Sequence, residues 1–327
     1  MVKYFYVNTI GCFLFDENFN LVNEELFNLP INDEDKQKIV NQFKNNLNLS
    51  DVITVTPGSL DDASHKIISK ILDYFRLNIS KYKDYFYKAN IISTVHALKE
   101  SVDESNLIIQ CISTIEEIDK VVNTLVKRLR EWYSYYLPEL SENVYDHEKF
   151  TAFVLEKSRA EVLNMLNISE LESMGRNLND DDLKPILDLA KQVKALYGLR
   201  KSQVDYLDNI MSRFCPNITA ITGSMIGAKL IAKSGGLERL SSFPASTIQL
   251  LGAEKALFRH MRTGAKTPKH GLIIQHPLLL KAKQKEKGKV ARALADKICI
   301  AAKVDYFKGE FIGDKLKEQL QTKFGKY

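Results

Sequence analysis

Residues 111–136 read CISTIEEIDKVVNTLVKRLREWYSYY, and the spacing of their apolar side chains decides the fold. These side chains recur alternately four and three residues apart, at Cys111, Ile115, Ile118, Val122, Leu125, Leu129, Trp132 and Tyr136. That repeat is the heptad seam of a coiled coil. At about 1.5 Å per residue the segment predicts a rod of about 39 Å, and Pro138 is expected to end it.

A second heptad seam follows in residues 186–214, and only Arg200 interrupts its apolar character. Acidic residues 180–182 and Pro185 are typical of a helix start, and Pro216 is typical of a helix end. Two rods of similar length predict an antiparallel hairpin, and a further exposed seam would pair it with a second copy. The alternative is two ordinary amphipathic helices on a globular core. The expected coiled-coil and dimer contacts are Ile118, Val122, Leu125, Leu129, Trp132, Val193, Val204, Leu207 and Met211.

The segments around the rods predict two further domains and a polar tip. Residues 146–179 separate the rods, contain a predicted helix at 147–156, and are expected at the tip of the hairpin. Short aromatic and β-branched runs near the N-terminus are typical of a small α/β unit. Its predicted strands cover residues 4–7, 12–15 and 52–56, and its predicted helices cover residues 33–46, a stretch beginning at 61 or 62, and 88–99.

The last part of the chain predicts a compact all-helical domain. Gly223 and Gly227 mark a helix that a neighbour approaches closely, and Ser234-Gly235-Gly236 is typical of a helix C-cap. The expected fold class is therefore α+β and mostly helical. The expected domains are a small α/β domain at residues 1–105, a coiled-coil hairpin at 106–216 and a helical domain at 217–327.

The charge is distributed unevenly along the chain. Residues 1–200 contain 23 Lys and Arg against 31 Asp and Glu, whereas residues 201–327 contain 23 against 10. Between Lys255 and Arg292 there are eleven basic residues and one acid, Glu286. Such a surface repels itself unless a polyanion covers it, although a solvated basic face is the simpler alternative. The last part of the chain is therefore the expected contact with nucleic acid.

Several classes of protein are disfavoured by the sequence. No phosphate-binding glycine loop, metalloprotease motif or nucleophile elbow occurs, so the chain is not expected to be an enzyme. The six histidines and four cysteines lack metal-ligand spacing, so no metal is expected. The chain lacks an apolar run of membrane-spanning length and a signal peptide. Widely separated cysteines are typical of free thiols in a reducing compartment, so the expected location is the cytoplasm.

Binding is better supported by the residues. Lys255, Arg259, Arg262, Lys266 and Lys269 are predicted to lie along a helix end and the loop after it. If about five cations contact phosphates, log affinity falls with log salt at a slope of about −4.5. Leu257 and Phe258 lie among these cations, where they belong either to the core or to a surface that stacks on an unpaired base.

The C-terminal part of the sequence resembles the Nop domain family. The matching stretches are Pro216 to Ala220, Gly227 to Ile231, Gly235 to Leu237, Pro244 to Thr247, Gly252 to Arg259, Thr267 to Gly271 and Lys287 to Lys289. Upstream, the stretches that are similar to the coiled-coil part of the family are Leu129 to Tyr133, Leu137 to Leu140, Ser173 to Gly175 and Asp182 to Pro185. The resemblance covers most of residues 106–310, and the first 90 residues match loosely.

The resemblance implies the scaffold of an archaeal box C/D ribonucleoprotein, the counterpart of Nop fifty-six and Nop fifty-eight. In that family the N-terminal domain holds the methyltransferase fibrillarin, and the coiled coil pairs two copies. The Nop domain grips a guide RNA together with a kink-turn-binding protein, and the complex directs 2′-O-methylation of rRNA or tRNA. The scaffold itself holds no cofactor, because fibrillarin carries S-adenosylmethionine.

The resemblance also implies roles for residues of the basic region. Residues 256–259 correspond to the family's loop at the guide RNA, with Phe258 or Leu257 as a wedge against a stem and Arg259 on phosphate. Glu254 is expected to orient Lys255 or Arg259. The expected RNA-binding residues are Lys255, Leu257, Phe258, Arg259, Arg262, Lys266, Lys269, His270, Lys289 and Arg292.

Two other functions remain open from the sequence. A spliceosomal, Prp-thirty-one-like relative would bind a kink-turn particle without fibrillarin, but the α/β N-terminus and short chain speak against it. A methyltransferase in its own right is the second, and the absence of a glycine-rich cofactor loop after an early strand weighs against it.

Overall fold

The structure is a computed structural model that describes residues 3–29, 33–46, 52–55 and 62–324. The chain forms two compact units, Met1–Val102 and Asp103–Tyr327. The elements of the first unit are β1 (Lys3–Val7), β2 (Gly11–Phe15), β3 (Leu21–Leu26), α1 (Asp33–Asn46), β4 (Val52–Val55), α2 (Asp62–Leu77) and α3 (Ile79–Glu100). The α+β, mostly helical fold class predicted from the sequence is confirmed.

The first unit is a four-stranded sheet with helices against both faces. The strand order is β3-β2-β1-β4, with β1 antiparallel to β2 and parallel to β4. Strand β2 is buried along its whole length, because Phe13 faces Phe75 of α2 while Leu14 belongs to the cluster that contains Phe43 of α1. The strands predicted at residues 4–7 and 12–15 are confirmed as β1 and β2, which pair as a hairpin. Strand β3 was not predicted, because its sequence LVNEEL lacks the β-branched and aromatic pattern of a strand.

The second unit is helical throughout the residues that are described. Its first elements are α4 (Glu104–Tyr133), α5 (Pro138–Asn143), α6 (His147–Glu156), α7 (Arg159–Leu166) and α8 (Asp180–Phe214). The remaining elements are α9 (Pro216–Thr222), α10 (Ser224–Ser234), α11 (Leu237–Ser242), α12 (Ala245–Leu250), α13 (Glu254–Thr263), the 3₁₀ turn η1 (Leu272–Gln275), α14 (Pro277–Lys281), α15 (Lys287–Tyr306) and α16 (Gly313–Phe324). Within the described ranges, no helix has the length and apolar character of a membrane span.

Helices α4 and α8 pack against each other as the predicted hairpin, and most of the seam lies inside it. The buried seam residues are Ile118, Val122, Leu129, Val193, Leu207 and Met211. These side chains are satisfied within one chain, so they are unavailable to a second copy. Arg200 interrupts the seam because its Nε donates to Asp119 Oδ1 of α4 at 2.5 Å. Val204 is half-buried against the core at the base of the hairpin.

The seam departs from the strict heptad beyond Val122. Leu125 is half-buried and Trp132 is 39% exposed, whereas their neighbours Val126 and Tyr133 are buried. An α-helix has 3.6 residues per turn, so a repeat of 3.5 drifts around it and the buried position moves on by one residue. Leu125 nevertheless packs, partly buried, against the seam cluster of Ile118, Val122, Val126 and Val193. The prediction that Trp132 belongs to the intramolecular seam is wrong.

The first rod ends earlier than predicted. Helix α4 stops at Tyr133, and Pro138 begins α5 rather than ending the rod. A proline suits the first position of a helix because its missing N–H would have no partner there.

The helix predicted at residues 147–156 is confirmed as α6. Helix α3 begins at Ile79, nine residues before the predicted helix at 88–99.

Two arginines tie the short tip helices to the end of α4. Arg130 donates to His147 Nδ1 and to the carbonyl oxygens of residues 141, 144, 145 and 146, and it stacks on Phe150. Arg159 is buried and donates to the carbonyl oxygens of Tyr136 and Gly175 and to Glu170. Burial of charge is tolerated here because each guanidinium has several acceptors.

Helices α9–α16 form a domain, called the head here, whose core continues into the base of the hairpin. Gly227 is required because an added Cβ would lie 2.8 Å from Met211 Cε and 2.9 Å from Ile218 Cγ2. Gly235 caps α10 at φ 87°, as predicted. Asp305 of α15 accepts hydrogen bonds from Asn217 N, Asn217 Nδ2 and Ile218 N, which satisfies the start of α9.

Candidate nucleic-acid interface

Helix α13 stands on the surface of the head and has no buried residue. Glu254 lies in its first turn, and Gly264 ends it with a left-handed backbone at φ 67°. Gly252 precedes it at φ 88°, where an added Cβ would lie 2.5 Å from Leu272 Cγ. The neighbour that approaches Gly252 closely is the side chain of Leu272.

Glu254 does not orient Lys255 or Arg259, in contrast to the expectation from the sequence. Its Oε1 accepts the backbone N–H of Gly252 at 2.7 Å, and its Oε2 lies 3.6 Å from Lys233 Nζ. These hydrogen bonds and the nearby Lys233 lower the pKa of Glu254 in spite of partial desolvation, which opposes them. Glu254 therefore fixes the start of α13 to α10 and leaves the basic side chains of α13 to solvent.

An apolar ring and three cations share one groove on α13. Lys255, Phe258, Arg259, Arg262 and Thr263 line a groove of about 570 Å³, which we call the α13 groove. Phe258 is 61% exposed. Among the ion pairs of the described residues, none includes Lys255, Arg259 or Arg262. The groove thus offers phosphate contacts around an uncovered ring, which suits an RNA stem end or an unpaired base.

The two candidates for the wedge differ in exposure. Leu257 is half-buried, whereas Phe258 points away from the core. Residues 256–259 lie within helix α13 rather than in a loop, so the expected loop at this position is wrong. Met261 is 70% exposed and was not predicted, although it lies three residues after Phe258 and so on the same side of the helix.

The loop after α13 carries the basic surface towards α15. His260 lies at hydrogen-bond distance from the carbonyl oxygen of Ala265 and from Thr267 Oγ1, so it shapes the loop. Gln249 Nε2 donates to the carbonyl oxygen of Lys269 at 2.7 Å. An added Cβ on Gly288, in the first turn of α15, would lie 3.7 Å from Lys269 Cδ. Lys266, Lys269, Lys289 and Arg292 are all exposed.

Two histidines of the basic region have different surroundings. His276 is buried, its Nδ1 accepts the N–H of Leu278 at 3.2 Å, and its Nε2 lies 2.9 Å from the Ile221 carbonyl oxygen. Burial lowers its pKa, so its role is to cap α14. His270 is half-buried, and desolvation together with Lys287 lowers its pKa. A neutral His270 is able to accept or donate a hydrogen bond to a base edge.

The described residues offer little to a catalytic mechanism. No group of three His, Cys, Asp or Glu side chains is arranged for a metal within the ranges that the structure covers. The four cysteines are free, and burial raises the pKa of the Cys111 and Cys215 thiols. A buried thiol with a raised pKa is a poor nucleophile.

Comparison with known proteins gives the following similarities. The Nop family, described as snoRNA binding domain, fibrillarin, matches residues 114–326. An uncharacterised NOP5 family protein of Methanocaldococcus jannaschii is 38% identical over 271 residues, which cover 78% of this chain and 65% of that protein. Nucleolar protein 56 of Schizosaccharomyces pombe is 38% identical over 222 residues, with coverages of 62% and 44%. Nucleolar protein 58 of Aspergillus clavatus is 41% identical over 225 residues, with coverages of 64% and 38%.

One solved structure is also similar. A chain of a fibrillarin/Nop5p complex has a TM-score of 0.44 and 26% identity, covering 75% of this chain and 79% of that chain. A score below one half is too low to support an inference about partners. The chain spans 65% of the M. jannaschii relative and less than half of the two nucleolar proteins.

Proposed function

This chain belongs to the Nop domain family, and on that premise we propose that it is a non-catalytic scaffold of a box C/D guide ribonucleoprotein. In this role it directs 2′-O-methylation of rRNA or tRNA by holding the catalytic subunit and the guide RNA together. The observation that carries the proposal is the α13 groove, where the exposed ring of Phe258 lies among Lys255, Arg259 and Arg262.

The α13 groove suits the end of an RNA stem better than a uniform duplex. Cations that lack an ion-pair partner within the described residues neutralise phosphates, and this term is independent of sequence. Phe258 stacks on the terminal base pair or on an unpaired base, which is how single-stranded and bulged RNA is recognised. The loop cations Lys266 and Lys269 and the α15 cations Lys289 and Arg292 continue the phosphate contacts. A kink-turn-binding protein on the same RNA completes the binding surface.

The first unit is proposed to dock fibrillarin. Its strands and helices, β1 to α3, lie within residues 1–105. We assign the hairpin to residues 106–216 and RNA binding to residues 217–327. Fibrillarin would bind S-adenosylmethionine and transfer the methyl group, so this chain would need no cofactor. The description of the matching family model, which names fibrillarin, supports the choice of partner. The M. jannaschii relative supports an archaeal, cytoplasmic particle.

We expect the scaffold to act as a homodimer through the hairpin. Because the buried seam is satisfied within one chain, the second copy must meet other residues. The exposed apolar side chains on the hairpin are Leu107, Val121, Trp132, Leu199 and Tyr206. Apolar groups in that number on a polar rod favour pairing with a like surface.

The proposal is tested by reconstitution of the particle. The full chain is mixed with guide RNA, the kink-turn protein and fibrillarin, and methyl transfer to a target RNA is measured. We expect transfer only when all components are present, and retention of fibrillarin on the chain in a pull-down. Methyl transfer by this chain without fibrillarin would reject the scaffold role. Binding of the RNA particle without fibrillarin retention would favour the spliceosomal alternative.

A further inference from the structure

One side of α15 carries a stripe of exposed side chains along its whole length. The residues recur three or four positions apart, so they share one side of the helix. They are Lys289, Arg292, Asp296, Ile300, Lys303 and Phe307, and we call them the α15 stripe. Three are cations and one is an acid. The ion pairs among the described residues include none of these cations.

The stripe ends at a cluster of exposed aromatic rings between α15 and α16. Phe307 is 75% exposed, Phe311 is 53% exposed and Tyr306 is 37% exposed. The rings of Tyr306 and Phe307 meet edge to face, with centroids 5.0 Å apart. Exposed rings beside cations are the surface on which proteins stack the bases of single strands. An apolar protein partner would also cover the rings, but the cations along the stripe favour a polyanion.

The backbone at Lys308 supports a role for this cluster beyond packing. The Gly309 N–H donates to the Val304 carbonyl at 2.8 Å, and the Lys308 N–H donates to the Asp305 carbonyl at 3.3 Å. This pair of bonds is a Schellman motif, whose left-handed position is usually glycine. Lys308 occupies that position at φ 52°. A side chain in this conformation strains the backbone, and the lysine places one more exposed cation next to Phe307.

We infer that the α15 stripe and its aromatic end bind a single-stranded RNA segment that continues from the stem held at the α13 groove. The loop that follows α13 reaches the start of the stripe, because Lys269 of that loop lies against Gly288 at the start of α15. From Lys289 to Phe307 the helix rises about 27 Å. That length gives room for a short single strand, and proteins that bind single strands contact about 4–16 nucleotides per domain.

The residues of the α15 stripe would contact different parts of the RNA, according to their chemistry. Lys289, Arg292 and Lys303 hold phosphates, and Phe307 stacks on a base whatever its identity. Asp296 repels phosphate, so the strand passes beside it over Ile300. The inference rests on the proposed function for the point where RNA enters, but the aromatic end is a binding surface in its own right.

The test compares two RNAs bound to the kink-turn protein. One ends in a blunt stem, and the other carries a uridine extension of about ten nucleotides, within the range of about 4–16 that single-strand sites cover. We expect the extension to tighten binding to the full chain, and Phe307→Ala to remove at least about a fivefold part of that gain. Affinity for the blunt RNA should not change. Tyr145→Ala removes an exposed ring at the hairpin tip and is the matched control.

Lys308→Gly separates binding from folding. Glycine relieves the left-handed strain, so the melting temperature should stay the same or rise. Affinity for the extended RNA should nevertheless fall. An extension that adds no affinity to the unaltered chain, or a gain that survives Phe307→Ala, would overturn the inference.

A third measurement keeps the inference apart from the proposed function. Oligouridine alone is titrated into the full chain at low salt, with no stem and no kink-turn protein. Binding that weakens in Phe307→Ala but not in Phe258→Ala supports the stripe even if the blunt particle is not bound. Loss in Phe258→Ala only, or no binding at all, rejects the stripe without affecting the scaffold proposal.

Discussion

Arg259 and Lys269 are exposed and take part in none of the ion pairs among the described residues, so their removal should leave the fold intact. We expect Arg259→Ala with Lys269→Ala to weaken binding of the RNA–kink-turn-protein complex. The salt slope of log affinity should become shallower by about 1.8, because two phosphate contacts are lost. The control is Lys201→Ala with Arg213→Ala, two exposed cations of α8. Unchanged affinity at physiological salt with unchanged helicity would reject the basic surface.

His276 should make the head sensitive to acid. Burial lowers its pKa from the usual 6.5, so the unfolded chain takes up this proton more readily than the folded one. Stability is therefore full above pH 6.5 and falls as the pH drops below it. Nearby Lys317 acts in the same direction. The protonated ring can no longer accept the Leu278 N–H that caps α14.

The variant His276→Asn tests whether protonation of His276 lowers the stability of the head at acid pH. Its side-chain oxygen still accepts the cap hydrogen bond but cannot reach the Ile221 carbonyl, which costs about 1 kcal/mol. Urea unfolding of the variant should show lower stability above pH 6.5 and a smaller loss below it. Some loss remains because His147 and His270 also have lowered pKa values. An identical acid loss in both proteins would show that His276 does not contribute.

Single residues differ in how far the sequence predicted them. Phe258 and the cations of α13 were predicted, because charge and family resemblance both marked them. Glu254 was assigned to the wrong partners, since Lys233 is distant in sequence and only the packing of α13 brings it near. The aromatic end of the α15 stripe was missed, although Tyr306, Phe307 and Phe311 lie close together in the chain. Aromatic residues are usually buried, so only their exposure distinguishes them.

At the scale of elements, two positions of the hairpin should differ in their contribution to stability: one is buried in the apolar seam, and the other forms an ion pair between α4 and α8. Leu207 is fully buried where the hairpin enters the head core, so Leu207→Asp should cost on the order of 3–5 kcal/mol and unfold the base. Arg200→Ala removes only a partly exposed ion pair with Asp119 and should cost less than about 1 kcal/mol. Thermal unfolding followed by circular dichroism measures both. Equal effects would contradict the intramolecular seam.

The heptad pattern predicted both rods, and the residues that flank the second rod predicted the ends of α8, but the end of the first rod was not predicted. Hydrophobic spacing reports which residues share a helix face, and it continued through Tyr136 although α4 stops at Tyr133. The chain leaves the helix there because the tip supplies other partners, including Arg159 on the Tyr136 carbonyl. Those partners lie more than twenty residues away, beyond what a periodic pattern can indicate.

At the scale of the whole molecule, the homodimer is open to a direct measurement. Light scattering should give twice the mass of one chain. Trp132 is partly exposed on the hairpin, so Trp132→Glu should dissociate the pair without loss of helicity. Tyr87→Ala, an exposed ring of the first unit, is the control. A monomeric unaltered chain, or a Trp132→Glu dimer, would contradict pairing through this part of the hairpin.

The shared core at the base of the hairpin has a mechanical consequence. Ile108 and Ile112 of α4 and Ile210 of α8 belong to the same apolar cluster as Leu294 and Ile298 of the head. Because a shared apolar core joins the hairpin to the head, the two parts are expected to move as one rigid body. In a particle with two copies of the chain, the distance between the two bound RNA ends would then depend on the length of α4, about 45 Å. A guide RNA of the wrong length would have to bend to fit.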